Sequence, residues 1–430
     1  MRFPNTGRFI NDTPKNTTHP NHIPHHTPMD PITILIFTIV YLGMILGGLP
    51  GLALDRTGVA LVGAIVLVAL GRVDVSQAWA AVDPSTMMLL FGLMVVSAQF
   101  RLSGSYARVT RALAGVHLGA PLFLGVVMAV AGGLSALLAN DIVCLAMAPV
   151  LAEVCAARRY DPVPHLLGLA CAANIGSAAT LIGNPQNMLI GQVLNLSFSA
   201  YLFRVLPVVI IGMAAAWGVI AFIYRRRWRK EITVPEVAHP TFDFWETAKG
   251  AVVLGVLVLG FLSGVGGREV WAMAGAGFLL MSRRMASRDM LALVDWQLLL
   301  LFAGLFVVNH ALSLSGATGQ AMGWFAALGI DITQGGPLFL LVAVLSNLVS
   351  NVPAVMLLLP GVHDPQSGML LALSSTLAGN LVVVGSIANI IVLDQAARQH
   401  IRISWKQHAA VGIPVTIASL LIAWVGVGMV

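Results

Sequence analysis

Four polar interruptions break the apolar runs of this 430-residue sequence, and they hold the residue types that could bind a solute. Two are short: Ala139-Asn140-Asp141 and Ser350-Asn351-Val352, each leading into apolar residues. Two are longer: Asn174 through Asn187, with Gly176, Ser177, Thr180, Gly183 and Pro185, and Thr376 through Asn389, with Gly379, Asn380, Gly385 and Ser386. Glycine weakens a helix and proline removes a donor, so a continuous helix is disfavoured at Gly-, Ser-, Asn- and Pro-rich stretches. At a break one helix ends on free carbonyls and the next begins on free N–H groups, so cations and anions can both be met by backbone ends. Asp141 is the sharpest single residue, being the one acidic residue at either short interruption. A carboxylate in apolar surroundings must be paired, solvated or protonated. It could ligate sodium, carry a proton, or cap the helix that follows.

The elements that must position these residues are membrane helices. The chain is 58% apolar and only 10% charged, with a mean hydropathy of +0.87, against about 25% charged residues in a soluble domain. A crossing helix needs about 20 apolar residues, and runs near that length recur at 31–49, 56–71, 85–100, 164–195, 202–223, 249–265, 269–282, 296–313, 367–397 and 409–429. The class is therefore an all-α polytopic membrane protein embedded in a lipid bilayer. A net charge of +6 does not point to nucleic acid, because basic residues in such a protein mark its cytoplasmic loops. Cys144, Cys155 and Cys171 form no CxxC and read as small core residues. Residues 1–30 read as an unstructured polar tail carrying His19, His22, His25 and His26 but no apolar signal segment. Met29, just before the first apolar block, is a second candidate start.

Two more apolar stretches, 119–157 and 336–361, contain the short interruptions at mid-length, and each could be one straight helix or a re-entrant hairpin. The basic run Arg225-Arg226-Arg227-Trp228-Arg229-Lys230 places the linker 224–248 in the cytoplasm. If both stretches are hairpins, most of the 24 Lys and Arg residues fall on that same side. A straight first stretch would move Arg101, Arg108 and Arg111 outside, so the hairpins are preferred and both termini become extracytoplasmic. An internal repeat, sought before a fold is named, agrees with this reading. Val82-Asp83 matches Val294-Asp295, Leu102-Ser103-Gly104 matches Leu314-Ser315-Gly316, and Arg56 matches Arg268. Ser135 and Asn140 align on Ser346 and Asn351, and Gly183 and Asn187 on Gly385 and Asn389. Residues 31–223 and 249–430 thus form two repeats, each with five crossings and one hairpin. An odd number of crossings inverts the second repeat relative to the first.

Inverted repeats with paired broken helices are the plan of secondary transporters, whose sites lie near the bilayer midplane. Small polar residues also serve helix packing, but their return at matching places in both halves favours a binding role. Asn140, Asp141, Asn174, Ser177 and Thr180 are expected to form one half of the site, and Ser350, Asn351, Thr376 and Asn380 the other. Asp83 and Asp295 read as helix caps, and Asp394 and Arg398 as a local ion pair four residues apart. Neither an acidic nor a histidine partner for Asp141 is evident, which disfavours an enzyme, and no interruption contains an arginine.

At these four clusters the sequence resembles the ion transporter superfamily of divalent anion:sodium symporters, citrate carriers, arsenite permeases and sodium/proton antiporters of the NhaD type. The resemblance covers about residues 31–430 and is most specific at 174–187, at Ser350-Asn351-Val352-Pro353, and at Ala378-Gly379-Asn380 with Gly385-Ser386. It implies an elevator-type carrier, usually a homodimer, with two opposed hairpins and two unwound helices. In the dicarboxylate branch, Ser-Asn-Thr tips meet sodium and substrate. Asn140, Asn351 and Ser350 keep that pattern, whereas Ala139, Asp141 and Val352 depart from it. Asn140, Asp141 and Asn351 are the candidate sodium ligands on this basis. The expectation is an inner-membrane carrier of a small anion, with no cofactor beyond sodium or protons as coupling ion. The alternatives are a sodium/proton antiporter and an arsenite or antimonite efflux permease.

Overall fold

The computed structural model describes residues 30–235, 241–327, 331 and 335–428. The histidine-containing tail lies outside the described residues. The first half comprises α1 (Pro31–Leu46), α2 (Arg56–Ala69), α3 (Val75–Ala81), α4 (Pro84–Leu102), α5 (Ser105–Ala114), α6 (Ala120–Leu137), α7 (Asn140–Ala157), α8 (Pro162–Ser177), α9 (Pro185–Val193) and α10 (Phe198–Ile223). The second comprises α11 (Phe244–Ser263), α12 (Arg268–Leu280), α13 (Ser287–Leu291), α14 (Trp296–Leu314), α15 (Ala317–Ala327), α16 (Gly335–Val349), α17 (Asn351–Leu358), α18 (Pro365–Ala378), α19 (Ile387–Arg398) and α20 (Trp405–Ala423). No β-strand occurs among the described residues. Each helix of the first half has a counterpart in the same serial position of the second.

The sequence sets many of these boundaries locally. Asp or Asn followed by Pro opens α1, α4, α8, α9 and α18, the side chain capping free N–H groups while proline supplies a preset first residue. Asp83 accepts from the Ser85 N–H at 3.0 Å and Asp295 from the Leu298 N–H at 2.9 Å, as their positions lead one to expect. The Arg398–Asp394 pair closes at 2.8 Å, and all three cysteines are buried and unbridged.

Among the described residues seven helices are long and apolar enough to cross a membrane: α4, α6, α7, α10, α11, α14 and α20 with its extension to Gly428. The chain is a multi-pass membrane protein. Ten crossings were expected, with 164–195 and 367–397 each broken by an unwound link, and the structure corrects the length of others. The 14 residues of α2 rise only about 21 Å at 1.5 Å per residue, short of a hydrocarbon core of about 30 Å. The stretches 164–195 and 367–397 are each two helices, in line with the break expected in each. α11 starts at Phe244, inside the segment assigned to the linker, where Asp243 caps it by accepting from the Glu246 N–H at 3.1 Å and Glu246 pairs with Lys249 at 2.5 Å and accepts from the Gln99 amide at 2.9 Å. The short helices α3, α5, α13 and α15 were not anticipated. α5 buries Tyr106, Ala107, Thr110 and Leu113 while exposing Arg108 and Arg111, an amphipathic pattern too brief to register as a crossing.

The halves grip each other reciprocally. α4 packs on α12, and its counterpart α14 packs on α2. A Cβ on Gly92 would stand 2.7 Å from the Ala272 carbonyl carbon, and one on Gly304 would stand 2.9 Å from that of Ala60. Gly92 and Gly304 are repeat mates, as are Ala60 and Ala272, so both contacts are the same contact made twice. Backbone cannot yield as a side-chain end can. Gly92→Val and Gly304→Val are each expected to cost about 3 kcal/mol by overpacking, read as a lower melting temperature in detergent. Gly133→Ala faces open space and should be neutral in the same assay.

Candidate functional site

Both short interruptions are helix breaks. α6 ends at Leu137 and α7 starts at Asn140, while α16 ends at Val349 and α17 starts at Asn351. Both long interruptions are breaks too, since residues 178–184 separate α8 from α9 and residues 379–386 separate α18 from α19. A single 3₁₀ turn, Val383–Gly385, lies in the latter. Glycine is required where these links fold back: a Cβ on Gly385 would stand 2.7 Å from Asn347 Oδ1, and one on Gly183 would collide with the Ser177 carbonyl. Gly176 is equally constrained, packing against the backbone of Gly132, and Gly379 lies against the Asn351 amide.

The four breaks meet in one buried network. Asn174 donates to Asn380 Oδ1 at 2.8 Å and to Asn389 Oδ1 at 3.2 Å. Its own Oδ1 accepts from Ser386 at 2.8 Å and from the Asn140 amide at 3.4 Å. Thr376, at the position equivalent to Asn174, repeats the arrangement in the other direction. Its hydroxyl donates to Asn187 Oδ1 at 3.3 Å and accepts from Asn184 and Gln186 at 3.2 Å each. Asn187 and Asn389, themselves mates, cap the carbonyls freed by unwinding. The first donates to Thr180 O at 3.0 Å, and the second to Gly379 O at 2.7 Å. Asn351, its amide nitrogen turned inward, donates to the Ser375 and Gly385 carbonyls at 3.0 and 3.1 Å. Ser177 joins by accepting from Asn184 at 3.0 Å.

Not every expected residue reaches this centre. The Thr180 hydroxyl turns away to the Ala136 carbonyl at 2.5 Å, tying the link to α6. Ser350 contributes no side-chain cap to α17 and holds φ +77° and ψ 160°, a backbone region that costs a non-glycine residue about 1–3 kcal/mol. Asp141 does not cap α7, whose N-cap residue is Ala139 with no side-chain hydrogen bond. Its carboxylate instead lines a cavity of about 150 Å³ beside the first tip, with Asn140, Pro185 and Ile387. Four helix N-termini, those of α7, α9, α14 and α19, therefore border one cavity.

That cavity adds two residues that sequence reasoning did not place there. Asp141 was left without an acidic partner, yet Asp295 lines the same cavity. No interruption contains an arginine, and Arg101, at the end of α4, lines the cavity as well. Residues outside the four interruptions also tether the tips to the helices around them. The Ala139 N–H donates to Ser97 Oγ at 3.3 Å, while Tyr41 donates to Asn309 at 2.9 Å and reaches the Pro353 carbonyl at 3.3 Å. Ser97 and Asn309 are repeat mates, so a polar residue recurring inside two apolar helices at the repeat spacing was the available signal. Tyr201, which accepts from Asn187 at 3.2 Å, gave no such signal.

Comparison with known proteins places the chain among transporters. A family model described as citrate transporter matches residues 32–369. A 46 kDa membrane protein of Mycobacterium leprae is 28% identical, over 92% of this chain and 97% of its own length. The silicon efflux transporter LSI3 of Oryza sativa subsp. japonica is 27% identical, over 92% of this chain and 96% of its own. Among solved structures, the YdaH transporter of Alcanivorax borkumensis aligns with a TM-score of 0.55 at 16% identity, covering 92% of this chain and 98% of that one, a likeness of fold.

Proposed function

The chain belongs to the citrate transporter family, and we propose that it carries a small anion by secondary active transport driven by a sodium or proton gradient. The observation that carries this reading is the buried network in which Asn174 meets Asn380, Ser386 and Asn389 while Thr376 meets Asn184 and Asn187. Broken helices from two halves converging on polar side chains form a solute site rather than a packing seam. In this reading 31–223 and 249–430 are inverted repeats, and α6–α7 and α16–α17 are opposed re-entrant hairpins. The anion lies against the N-terminal ends of α7, α9 and α19, whose free N–H groups and dipoles favour negative charge. Asn140, Asp141 and Asn351 supply oxygens for the coupling ion.

Further support comes from orphan polar atoms. The Ser135 and Ser346 hydroxyls are repeat mates, both fully buried, and meet no partner among the described residues. Each such group costs about 1–3 kcal/mol unless water or an ion reaches it. The hairpin-bearing helices then move as one body past α4 and α14, exposing the site alternately to either side, in a homodimer with the linker and the Arg101 end in the cytoplasm.

Proteoliposomes test the reading. An imposed sodium or pH gradient should drive accumulation of labelled citrate or another small anion, and Asn140→Ala and Asn351→Ala should each raise the half-saturating concentration about tenfold, as expected for a lost charge-assisted hydrogen bond. Failure of every anion tested to accumulate would overturn it. A second reading, efflux of a small oxyacid, is favoured by Ala139 and Val352, which remove hydroxyls from the tips, and by the likeness to a silicon efflux transporter. Silicic acid and arsenite counterflow in the same vesicles separates the two.

A further inference from the structure

Each half must satisfy the carbonyls that its broken helix frees, and the two halves meet that need with different chemistry. In the first half Tyr201, four residues past the N-cap Ser197 of α10, donates to Ala178 O at 2.9 Å. In the second half the same place, four residues past the N-cap Ser404 of α20, is held by His408. The mate of Ala178 is Asn380, at the spacing that pairs Gly183 with Gly385. His408 stands next to it. A Cβ on Gly412 would collide with Asn380 O and stand 3.0 Å from Leu381 O and 3.3 Å from His408 Nε2, so two carbonyls and a ring nitrogen surround one point. Asn389 donates to the flanking carbonyls, Gly379 O at 2.7 Å and Val382 O at 3.2 Å.

The imidazole is where the two halves cease to match. His408 is 2% exposed, and neither Nδ1 nor Nε2 has a hydrogen-bond partner among the described residues. A buried polar atom left unmet costs about 1–3 kcal/mol. A tyrosine hydroxyl keeps its proton across the physiological range, whereas an imidazole changes charge within it. Once protonated, both ring nitrogens donate, and a charged N–H makes the stronger bond to a carbonyl. The chief elements packed on α20 are α8, α10, α18 and the turns at 383–385 and 424–428. α18 and both turns carry no titratable side chain. On α8, His165 is paired with Asp161 O at 2.7 Å and Cys171 is buried, while on α10 Tyr201 is already engaged and Arg204 is exposed. On α20 itself Lys406 is exposed.

We propose that His408 is a proton-binding site, and that the bound proton closes its ring onto the Asn380 and Leu381 carbonyls and fastens the link between α18 and α19. Asn380 and Ser386 of that link hold Asn174, so the fastening reaches the centre of the buried network. The inference rests on the transport reading for its use: a proton that steadies the solute network and a solute that steadies the protonated link favour each other's binding, as linkage requires.

Full-length protein with isotope-labelled histidine rings, in detergent and without any transported anion, tests this with the proton itself as the probe. The imidazole NMR signal that disappears in His408→Gln identifies the ring, and it is expected to titrate once within about pH 5–8. Hydrogen–deuterium exchange of residues 379–386, corrected for the intrinsic pH dependence of exchange, should be about tenfold slower below that midpoint than above it, as for one charged hydrogen bond gained. His408→Gln should erase the difference. Tyr201→Phe should speed exchange at 178–184 equally on both sides of the midpoint, because the hydroxyl it removes does not titrate there. If His408→Gln does not fold, His408→Asn serves for both readouts. A ring that keeps one protonation state throughout about pH 4–9, or a link whose exchange keeps its pH dependence without the imidazole, overturns the proposal. Neither readout involves flux, so failed accumulation in vesicles counts against the carrier reading alone.

Discussion

Asp141→Asn is expected to leave a folded, inserted protein that no longer accumulates substrate against a gradient. The substitution is nearly isosteric, and Asp141 supports no helix cap that it would remove. What changes is charge in the cavity that also holds Arg101 and Asp295. Truncating one member of a set of facing charges typically costs 2–5 kcal/mol, so a fall on the order of a hundredfold in gradient-driven uptake follows. Proteoliposome flux under imposed sodium and pH gradients measures it, with the elution profile and melting temperature reporting the fold. Unaltered uptake with unaltered ion dependence would remove Asp141 from the coupling mechanism.

Asn174→Ala should do damage of a different kind. The side chain holds Asn380, Asn389, Ser386 and Asn140 at once, and all five residues are buried. Deleting it strands several polar groups in a water-poor interior, and each orphan costs about 1–3 kcal/mol, so a loss of roughly 3–5 kcal/mol is expected, together with transport. A melting curve and a flux assay read the two effects. Asn174→Thr places at this position the residue found at its mate, Thr376, and should recover part of the stability because a hydroxyl can still bridge two amides. Equal losses from Asn174→Ala and Asn174→Thr would show that bulk rather than hydrogen bonding matters there.

The positions of the four breaks were legible in the sequence because helix termination is local. Gly183, Asn184-Pro185 and Gly385-Ser386 state where a helix must stop and restart, within a few residues of the observed ends. The repeat was equally legible, since mates such as Gly92 and Gly304 keep one spacing along the chain and the structure puts them in equivalent contacts. Less was legible about which side chains share a space. Thr180 sits among the polar residues of its link, yet its hydroxyl serves α6. Ser350 has the right residue type and adopts a backbone that takes it out of the network.

Apolar content, breakers and repeat spacing by themselves determined a helical, multi-pass, internally repeated membrane protein with paired interruptions, because each of those properties is written in residues a few positions apart. The tertiary structure alone decided that Asn174 answers Asn389, that Asp295 shares a cavity with Asp141, and that Arg101 lines the same cavity. Each residue turns a helical side chain by about 100°, so partners hundreds of residues apart are selected by how whole helices rotate and cross. Asp295 also satisfies a local need, capping α14, and that adequate local explanation concealed its place in the cavity until the two halves were brought together.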